Sequence, residues 1–365
     1  MRKYVTLGDV CKKGSSNIAQ KDIENSNGTY AIYGASGYIK DVNFYHQDKP
    51  YIAVVKDGAG IGRTMLLPEK TSVIGTLQYL IPNDSISVKY LYYAVTYMNL
   101  SKYFTGATIP HIYFKDYQKE LLPLPPMEKQ LEIARNLEKI DAMIGLCNSI
   151  VEKMDVLVKS RFVEMFDNNN DWDTVNIEDI CSDMRTGPFG SALHHDEFVD
   201  NGIFVLGIDN AVENKFSYNR MRYITEEKYQ KLKRYTVKPL DVIITIMGTV
   251  GRSAVIPKDM PLAINTKHLA CLTLKDELAD PYFLANAFQI HPEIIAQMHM
   301  NSKGAIMDGL NLTIIKHLRF KLPPLNLQQS FASFVQDIDK SKLAVKECLE
   351  KAEYLKSALM QEYFG

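Results

Sequence analysis

The sequence predicts an α+β protein: two mixed α/β domains separated by two long helices that pair as an antiparallel coiled coil, an internal repeat with pseudo-two-fold symmetry. Three observations carry this prediction. Leu124-Pro125-Pro126 returns as Leu322-Pro323-Pro324. Each of these turns opens a stretch in which apolar residues recur at alternating spacings of three and four, the mark of a helix with one apolar stripe. Ahead of each turn lie short runs rich in β-branched and aromatic residues, bounded by turn formers, as strands are.

Taken in order, residues 1–125 form the first domain, with strands at "YIAVV" and "LQYLIP" and a short helix at "SVKYLYYAVTYMN". Residues 126–167 form the first long helix, which proline can open and "DNNND" ends. From Glu128 to Phe166 it would run about 58 Å at the usual rise per residue. Its stripe is Leu137, Ile140, Ile144, Cys147, Val151, Met154 and Val158, continued by Arg161 and Met165. Residues 168–322 form the second domain, with strands at "IFVLGI", "DVIITIM" and "HLACLTL" and a helix at "DPYFLANAFQIH". Residues 323–365 form the second long helix, striped by Phe331, Phe334, Ile338, Ser341, Val345, Cys348, Ala352, Leu355 and Leu359. A stripe of that length needs a partner stripe, and the other copy supplies one within the chain. Further matches are Gln130 with Gln328, Ala134 with Ala332, Ile140-Asp141 with Ile338-Asp339, "LGDVC" with "IEDIC", and "IGTLQ" with "INTKH". The offset between copies drifts, so loops of different length interrupt one shared scaffold, and such loops usually carry specificity.

Composition bounds the function. With 365 residues, 46% hydrophobic and 23% charged, the chain can bury two cores and is globular. It shows no membrane-length apolar run and no secretory leader. Five cysteines without a C-x-x-C suggest reduced thiols and a cytoplasmic location. The net charge of −1 neither announces nor excludes a nucleic-acid partner. Residues 1–125 carry 14 basic against 10 acidic side chains and residues 168–322 carry 17 against 19, so any binding face is a local patch.

No catalytic motif in the sequence is complete. "KDGAGIGRTML" looks like a phosphate-holding loop, but the dinucleotide fingerprint needs a glycine where Arg63 stands and a helix afterwards, and Pro68 arrives too soon. "ITIMGTVGRSAVIP" repeats the layout, pairing Gly62-Arg63 with Gly251-Arg252 and Pro68 with Pro257, so the stretch reads as a scaffold turn. "DPYF" lacks the second proline of an adenine-methyltransferase tetrapeptide and is explained by an N-cap and a first-turn proline. His194-His195-Asp196 has no further ligand at zinc spacing. No metal site, catalytic group or cofactor is assigned to this chain.

Nucleic-acid contacts are the remaining chemistry. "RMRYITEEKYQKLKRYTVK" interleaves Arg220, Arg222 and lysines with tyrosines, which suits phosphates; a solvated helix with inward tyrosines explains it equally. "RTGPFGSALHHDEF" offers Arg185, Ser191 and His194, with Gly187 and Gly190 allowing close backbone approach. "KKGSSNIAQK" at the matching place offers Lys12, Lys13, Ser16 and Asn17. The pair "GTLQY" and "NTKHL" offers Thr76, Gln78, Asn265, Lys267 and His268, residue types that read base edges. Arg63, Arg252, His111 and Lys303 complete the candidates, the arginines as phosphate contacts.

Together these features resemble the specificity subunit of type I restriction-modification systems. The resemblance covers essentially the whole chain and is carried by "LPLPPMEKQLEIARNLEKID" and "LPPLNLQQSFASFVQDID", with "GPFGSAL", "YITEEKY" and "VIITIMGTVGRSAVIP". It implies two target recognition domains, each reading half of a split, asymmetric sequence in double-stranded DNA. It further implies a paired-helix spacer that docks two methyltransferase subunits carrying S-adenosylmethionine, with restriction subunits using ATP and Mg²⁺ as additional partners. Two other readings stay open at this stage: a coiled-coil scaffold without DNA, and a methyltransferase with degenerate motifs.

Overall fold

The computed structural model describes residues 3–106, 110–166, 171–189, 192–302 and 309–365, with the backbone only at 301 and 302. Its compact units are residues Met1–Ser149 with Val345–Gly365, and Ile150–Ala344. The long helices run Met127–Phe166 and Leu325–Phe364, and each contributes to both units.

In the first unit the strands are β1 (Tyr4–Thr6), β2 (Cys11–Ser15), β3 (Tyr30–Gly34), β4 (Gly37–Val42), β5 (Tyr51–Val55), β6 (Thr64–Leu67), β7 (Ser72–Val73), β8 (Leu77–Pro82) and β9 (Leu121–Pro123). They form a central sheet in the order β2-β8-β5-β6, a second sheet β4-β3-β7, and the pair β1-β9. In the second unit the strands are β10 (Thr174–Asn176), β11 (Cys181–Thr186), β12 (Ile203–Leu206), β13 (Tyr223–Ile224), β14 (Val242–Thr245), β15 (Ser253–Val255), β16 (Ala263–Asn265), β17 (Leu269–Leu274) and β18 (Arg319–Lys321). Their sheets are β11-β17-β14-β15, β13-β12-β16 and β10-β18, the same plan strand for strand. Every expected strand and both short helices, Val88–Tyr97 and Pro281–Ile290, are present.

Alternation along the central strands explains the layering. Ile52 and Val54 of β5 face a core shared with helix Val88–Tyr97, while Tyr51, Ala53 and Val55 face the second sheet. In β14, Val242 and Ile244 face the helix-side core and Ile243 the other. A strand buried on both faces must be apolar throughout, which is why "YIAVV" and "VIIT" are near-continuous hydrophobic runs.

Each long helix begins at the second proline, whose carbonyl accepts the first helical bonds: Gln130 N–H donates to Pro126 O at 3.1 Å and Gln328 N–H to Pro324 O at 3.2 Å. The glutamines themselves explain the repeated signature. Gln130, 1% exposed, accepts from Ser87 N–H at 2.8 Å and donates to Ser85 O and Pro125 O at 3.1 and 2.9 Å. Gln328, fully buried, accepts from Asp280 N–H at 3.0 Å and donates to Leu278 O and Pro323 O at 3.1 and 2.7 Å. One side chain thus bolts the long helix to the start of the domain helix, satisfying backbone groups a helix N-terminus would leave bare.

Within each unit the long helices run antiparallel. In the first, Asp141 pairs with Lys356 at 2.5 Å, and Tyr90 and Tyr97 pack on Phe364 with centroids 5.1 and 6.1 Å away. In the second, Asp155 pairs with Lys342 at 2.6 Å, and Phe162 meets Phe331 and Phe283 at 5.3 and 5.9 Å. Of the expected stripe, Leu137, Ile140, Cys147, Val158, Phe331 and Ala352 are buried, and Ile144, Val151, Met154, Phe334, Ile338, Val345 and Leu359 half-buried. Cys348 and Leu355 are corrections, because both are exposed, Leu355 by 49%. The expected continuation through Arg161 and Met165 is also displaced to the buried Phe162 and Phe166. An α-helix drifts roughly 20° per heptad against a strict 3.5 repeat, so the seam rolls onto Phe162, Phe166 and Lys356. Among the described residues no helix is long and apolar enough to cross a membrane.

Candidate nucleic-acid interface

The glycine turns are scaffold. Gly62 and Gly251 take φ of 79° and 82°, a left-handed conformation that favours glycine. Gly62 N–H donates to Val55 O and Val55 N–H to Arg63 O at 2.8 and 2.9 Å; Gly251 with Thr245, and Thr245 with Arg252, repeat these bonds at 2.8 Å each. Arg63 is exposed and donates through Nη1 to Ala35 O at 3.0 Å, while Arg252 is exposed with its backbone N–H held by Thr245 Oγ1 at 2.9 Å.

These bonds make Val55 the equivalent of Thr245, and the ladders then fix the rest. Val55 faces Leu77 and Thr245 faces Leu269, so Leu77 corresponds to Leu269 and Thr76 to His268. The sequence match of "IGTLQ" to "INTKH" is therefore two residues out of register. Ala270, not His268, occupies the place of Gln78.

In the first domain, an open pocket of about 430 Å³ gathers side chains from distant segments. Lys13, Ser16, Asn17, Gln78 and His111 line it, all expected from the sequence; Lys56, Tyr113, Lys115 and Gln118 join them. Lys12 and Lys13 are consecutive on β2 and point to opposite faces, so only Lys13 reaches the pocket. Lys56 Nζ pairs with Asp57 at 2.7 Å, and the His111 ring contacts the same carboxylate. Tyr113 lies 4.2 Å from the His111 ring, with Lys115 Nζ 5.1 Å above its own. Gln78 is 1% exposed and its Nε2 has no hydrogen-bond partner among the described residues. A buried amide left this way costs about 1–3 kcal/mol. Thr76 Oγ1 is also buried without a partner among the described residues, and its carbonyl accepts from Lys56 N–H at 3.0 Å. Sequence reading missed Lys56, Tyr113 and Lys115, although "HIYFK" interleaves aromatic and basic residues as such surfaces do.

In the second domain Arg222, Lys267 and His268 form an electropositive group. Arg222 pairs with Asp209 at 2.6 Å. Burial, then the charges of Lys267 and Arg222, hold the His268 imidazole below the usual histidine range. It is neutral at pH 7 and carries one ring donor and one acceptor. Arg220, at φ 51°, and His194 are exposed.

Arg185 is a correction. Its side chain is 11% exposed, and its nitrogens donate to Thr236 O at 3.0 Å, Asp183 at 2.7 Å, Thr273 Oγ1 at 2.9 Å and the buried Asp241. Such a guanidinium holds the domain together and does not present donors outward. Gly187 likewise serves the fold, since an added Cβ would lie 2.2 Å from the Thr266 carbonyl carbon. Asn265 is fully buried and donates to Leu269 O at 3.1 Å. In the basic stretch Tyr229 is buried, Lys228 and Lys231 pair with Glu197 and Glu227 at 2.5 and 2.8 Å, and Arg234 stacks on Tyr235 at 4.6 Å. That favours a solvated helix. Asp280 caps its helix through bonds from Tyr282 and Phe283 N–H at 2.9 and 3.1 Å. Ser191, Lys303 and Gly190 lie outside the described residues.

A repeated frame with unequal polar surfaces defines a protein of two domains built on one plan. The sequence pattern of the type I restriction modification DNA specificity domain matches residues 2–154 and again 169–353, and the chain belongs to that family. It is 23% identical over 333 residues to the type I restriction enzyme MjaVIII specificity subunit of Methanocaldococcus jannaschii, covering 83% of this chain and 76% of that one. With the EcoBI specificity subunit of Escherichia coli it shares 21% identity over 318 residues, 78% of this chain and 66% of the relative. The fold is similar to the crystal structure of the type I restriction-modification S subunit from M. genitalium, with a TM-score of 0.68 at 15% identity over 100% of this chain and 96% of that one. A solved chain described under complex assembly and conformational transition of the type I R-M system gives 0.57, also at 15% identity, over 99% and 97%.

Proposed function

We propose that this chain is the DNA-reading subunit of a type I restriction-modification complex, reading a bipartite, asymmetric sequence in double-stranded DNA, one half through each specificity domain. The observation that carries this reading is the difference at equivalent ladder positions. Thr76 and Gln78 in one domain stand where His268 and Ala270 stand in the other. One backbone plan with different polar groups is what two unlike half-sites require, because base edges are told apart by donor and acceptor pattern.

Catalysis falls to partners in this proposal. Two methyltransferase subunits bring S-adenosylmethionine and take an adenine out of the duplex; restriction subunits, where present, use ATP and Mg²⁺. The paired long helices are their dock, and the assembly works in the cytoplasm.

The test is co-expression with the host's methyltransferase subunits and mapping of N6-methyladenine by single-molecule sequencing. One split, asymmetric motif that disappears when this chain is deleted supports the reading. Absence of a motif, or one indifferent to the deletion, leaves a coiled-coil scaffold as the better account; S-adenosylmethionine bound by the isolated chain would point to a degenerate methyltransferase.

A further inference from the structure

Three polar positions of the first domain's pocket are apolar in the second. Lys13 pairs with Leu80 and Met184 with Leu272, so these two correspond, as Gln78 corresponds to Ala270. Lys56 N–H donates to Thr76 O and Ile246 N–H to His268 O, which makes Lys56 the equivalent of Ile246. Three polar positions in one domain are thus Met184, Ile246 and Ala270 in the other, and Ile246 and Ala270 are buried.

A polar group maintained for the shared frame would stand in both domains. Gln78 stands in one, at 1% exposure, against a pocket with three lysines, a histidine and one adjacent carboxylate, Asp57. Its Nε2 is a donor without an acceptor among the described residues. The basic walls favour an acceptor-rich, electronegative occupant. A phosphate would be held alike in both domains, since the backbone is the same everywhere along DNA, whereas a base need be read by one domain only.

We propose that Gln78 is a specificity-determining residue of the first domain, its carboxamide nitrogen donating to an acceptor atom on a base seated at this pocket, with Lys13 and Asn17 at the rim. This rests on the DNA-reading role proposed above. It assigns one base of one half-site to one side chain, and it assigns none to Ala270.

The experiment uses the full methyltransferase complex with Gln78→Met, a change of similar volume that removes the amide. Methylation motifs are mapped, and the complex is titrated with duplexes altered in one half-site at a time. We expect relaxed choice at one position of one half-site, a fall of about tenfold in affinity for the cognate duplex, an unchanged second half, and thermal stability equal to or above that of the parent. Unchanged selectivity in both halves overturns the proposal, and so does weakening that is uniform across sequences, which marks a phosphate contact. If Gln78→Met does not assemble, Asn17→Ala, at an exposed position, is read by the same two criteria. A parent complex with no split motif would instead refute the underlying DNA-reading role.

Discussion

In the first domain Gly14 faces Tyr79 across the ladder, and Tyr51, just before Ile52 of the next strand, packs its ring edge to face on Tyr79 with centroids 5.1 Å apart. In the second, the same positions hold Arg185, Asp241 and Cys271, with the guanidinium donating to the carboxylate and the Cys271 thiol donating to it at 3.2 Å. Gly14 is needed because Tyr79 lies 3.0 Å from where its Cβ would be; no such crowding exists beside Cys271, and an arginine fits. The comparison teaches that the frame fixes backbone hydrogen bonds while the interior chemistry is free to change as a set. A residue's role must therefore be judged with its neighbours, and a basic side chain beside a glycine loop is not by that fact a DNA contact.

The largest effect should come from breaking the second domain's set. Arg185→Ala leaves Asp241, 1% exposed, without its cation, and losses of about 3–5 kcal/mol accompany such a change. Chemical denaturation should show it; a change under about 1 kcal/mol would mean that the carboxylate is satisfied by its remaining donors, Lys238 N–H, Thr273 and the Cys271 thiol.

Next come the glutamine bolts, where the domains should behave alike. Gln130→Ala and Gln328→Ala each remove three buried hydrogen bonds, at about 3 kcal/mol apiece. Melting curves that separate the two variants widely would break the equivalence of the two junctions.

Smaller still is the glycine pair, which should differ. Alanine in a left-handed conformation costs about 1–2 kcal/mol. Among the described residues, the new methyl at Gly251 would meet only Met298, at 3.5 Å, but at Gly62 it would lie 2.4 Å from Ser101 N. Gly62→Ala should therefore be the more damaging, and equal melting temperatures would contradict the close approach.

The last effect appears only at alkaline pH. Burial pushes the thiols of Cys11 and Cys181, matched positions in the two domains, up to about 12. In the unfolded chain they ionise near 9.0, so protons leave the unfolded state first and stability falls as pH rises from about 9 towards 12. Replacing either by serine should flatten that decline to a similar extent, and a native chain treated with a thiol reagent should react first at the exposed Cys348.

Much of this was legible in the sequence. Gln130 and Gln328 stood out because identical bonds impose identical residues, and the Gly-Arg turns because a left-handed backbone selects glycine. Register was not legible at "INTKH", because β17 starts four residues after the end of β16 whatever residue types fill the turn. The pocket was half legible: Lys13, Asn17, Gln78 and His111 were named separately, but Lys56 sits at the end of an apolar strand and looks like an ordinary turn residue. Arg185 misled because its partners, Asp241 and Thr273, lie 56 and 88 residues away.

The first unit draws its closing pieces from far down the chain. Met360 and Phe364 belong to its core, and Tyr97 reaches Gln361 across 264 residues. During synthesis the first recognition domain therefore emerges long before it can finish, and its helix Val88–Tyr97 must wait with an apolar flank bare until the segment 345–365 arrives. A chain interrupted anywhere in the second domain carries an unfinished first one, recognisable to a protease or chaperone. Synthesis through residues 345–364 is thus a condition for the first unit's core to close.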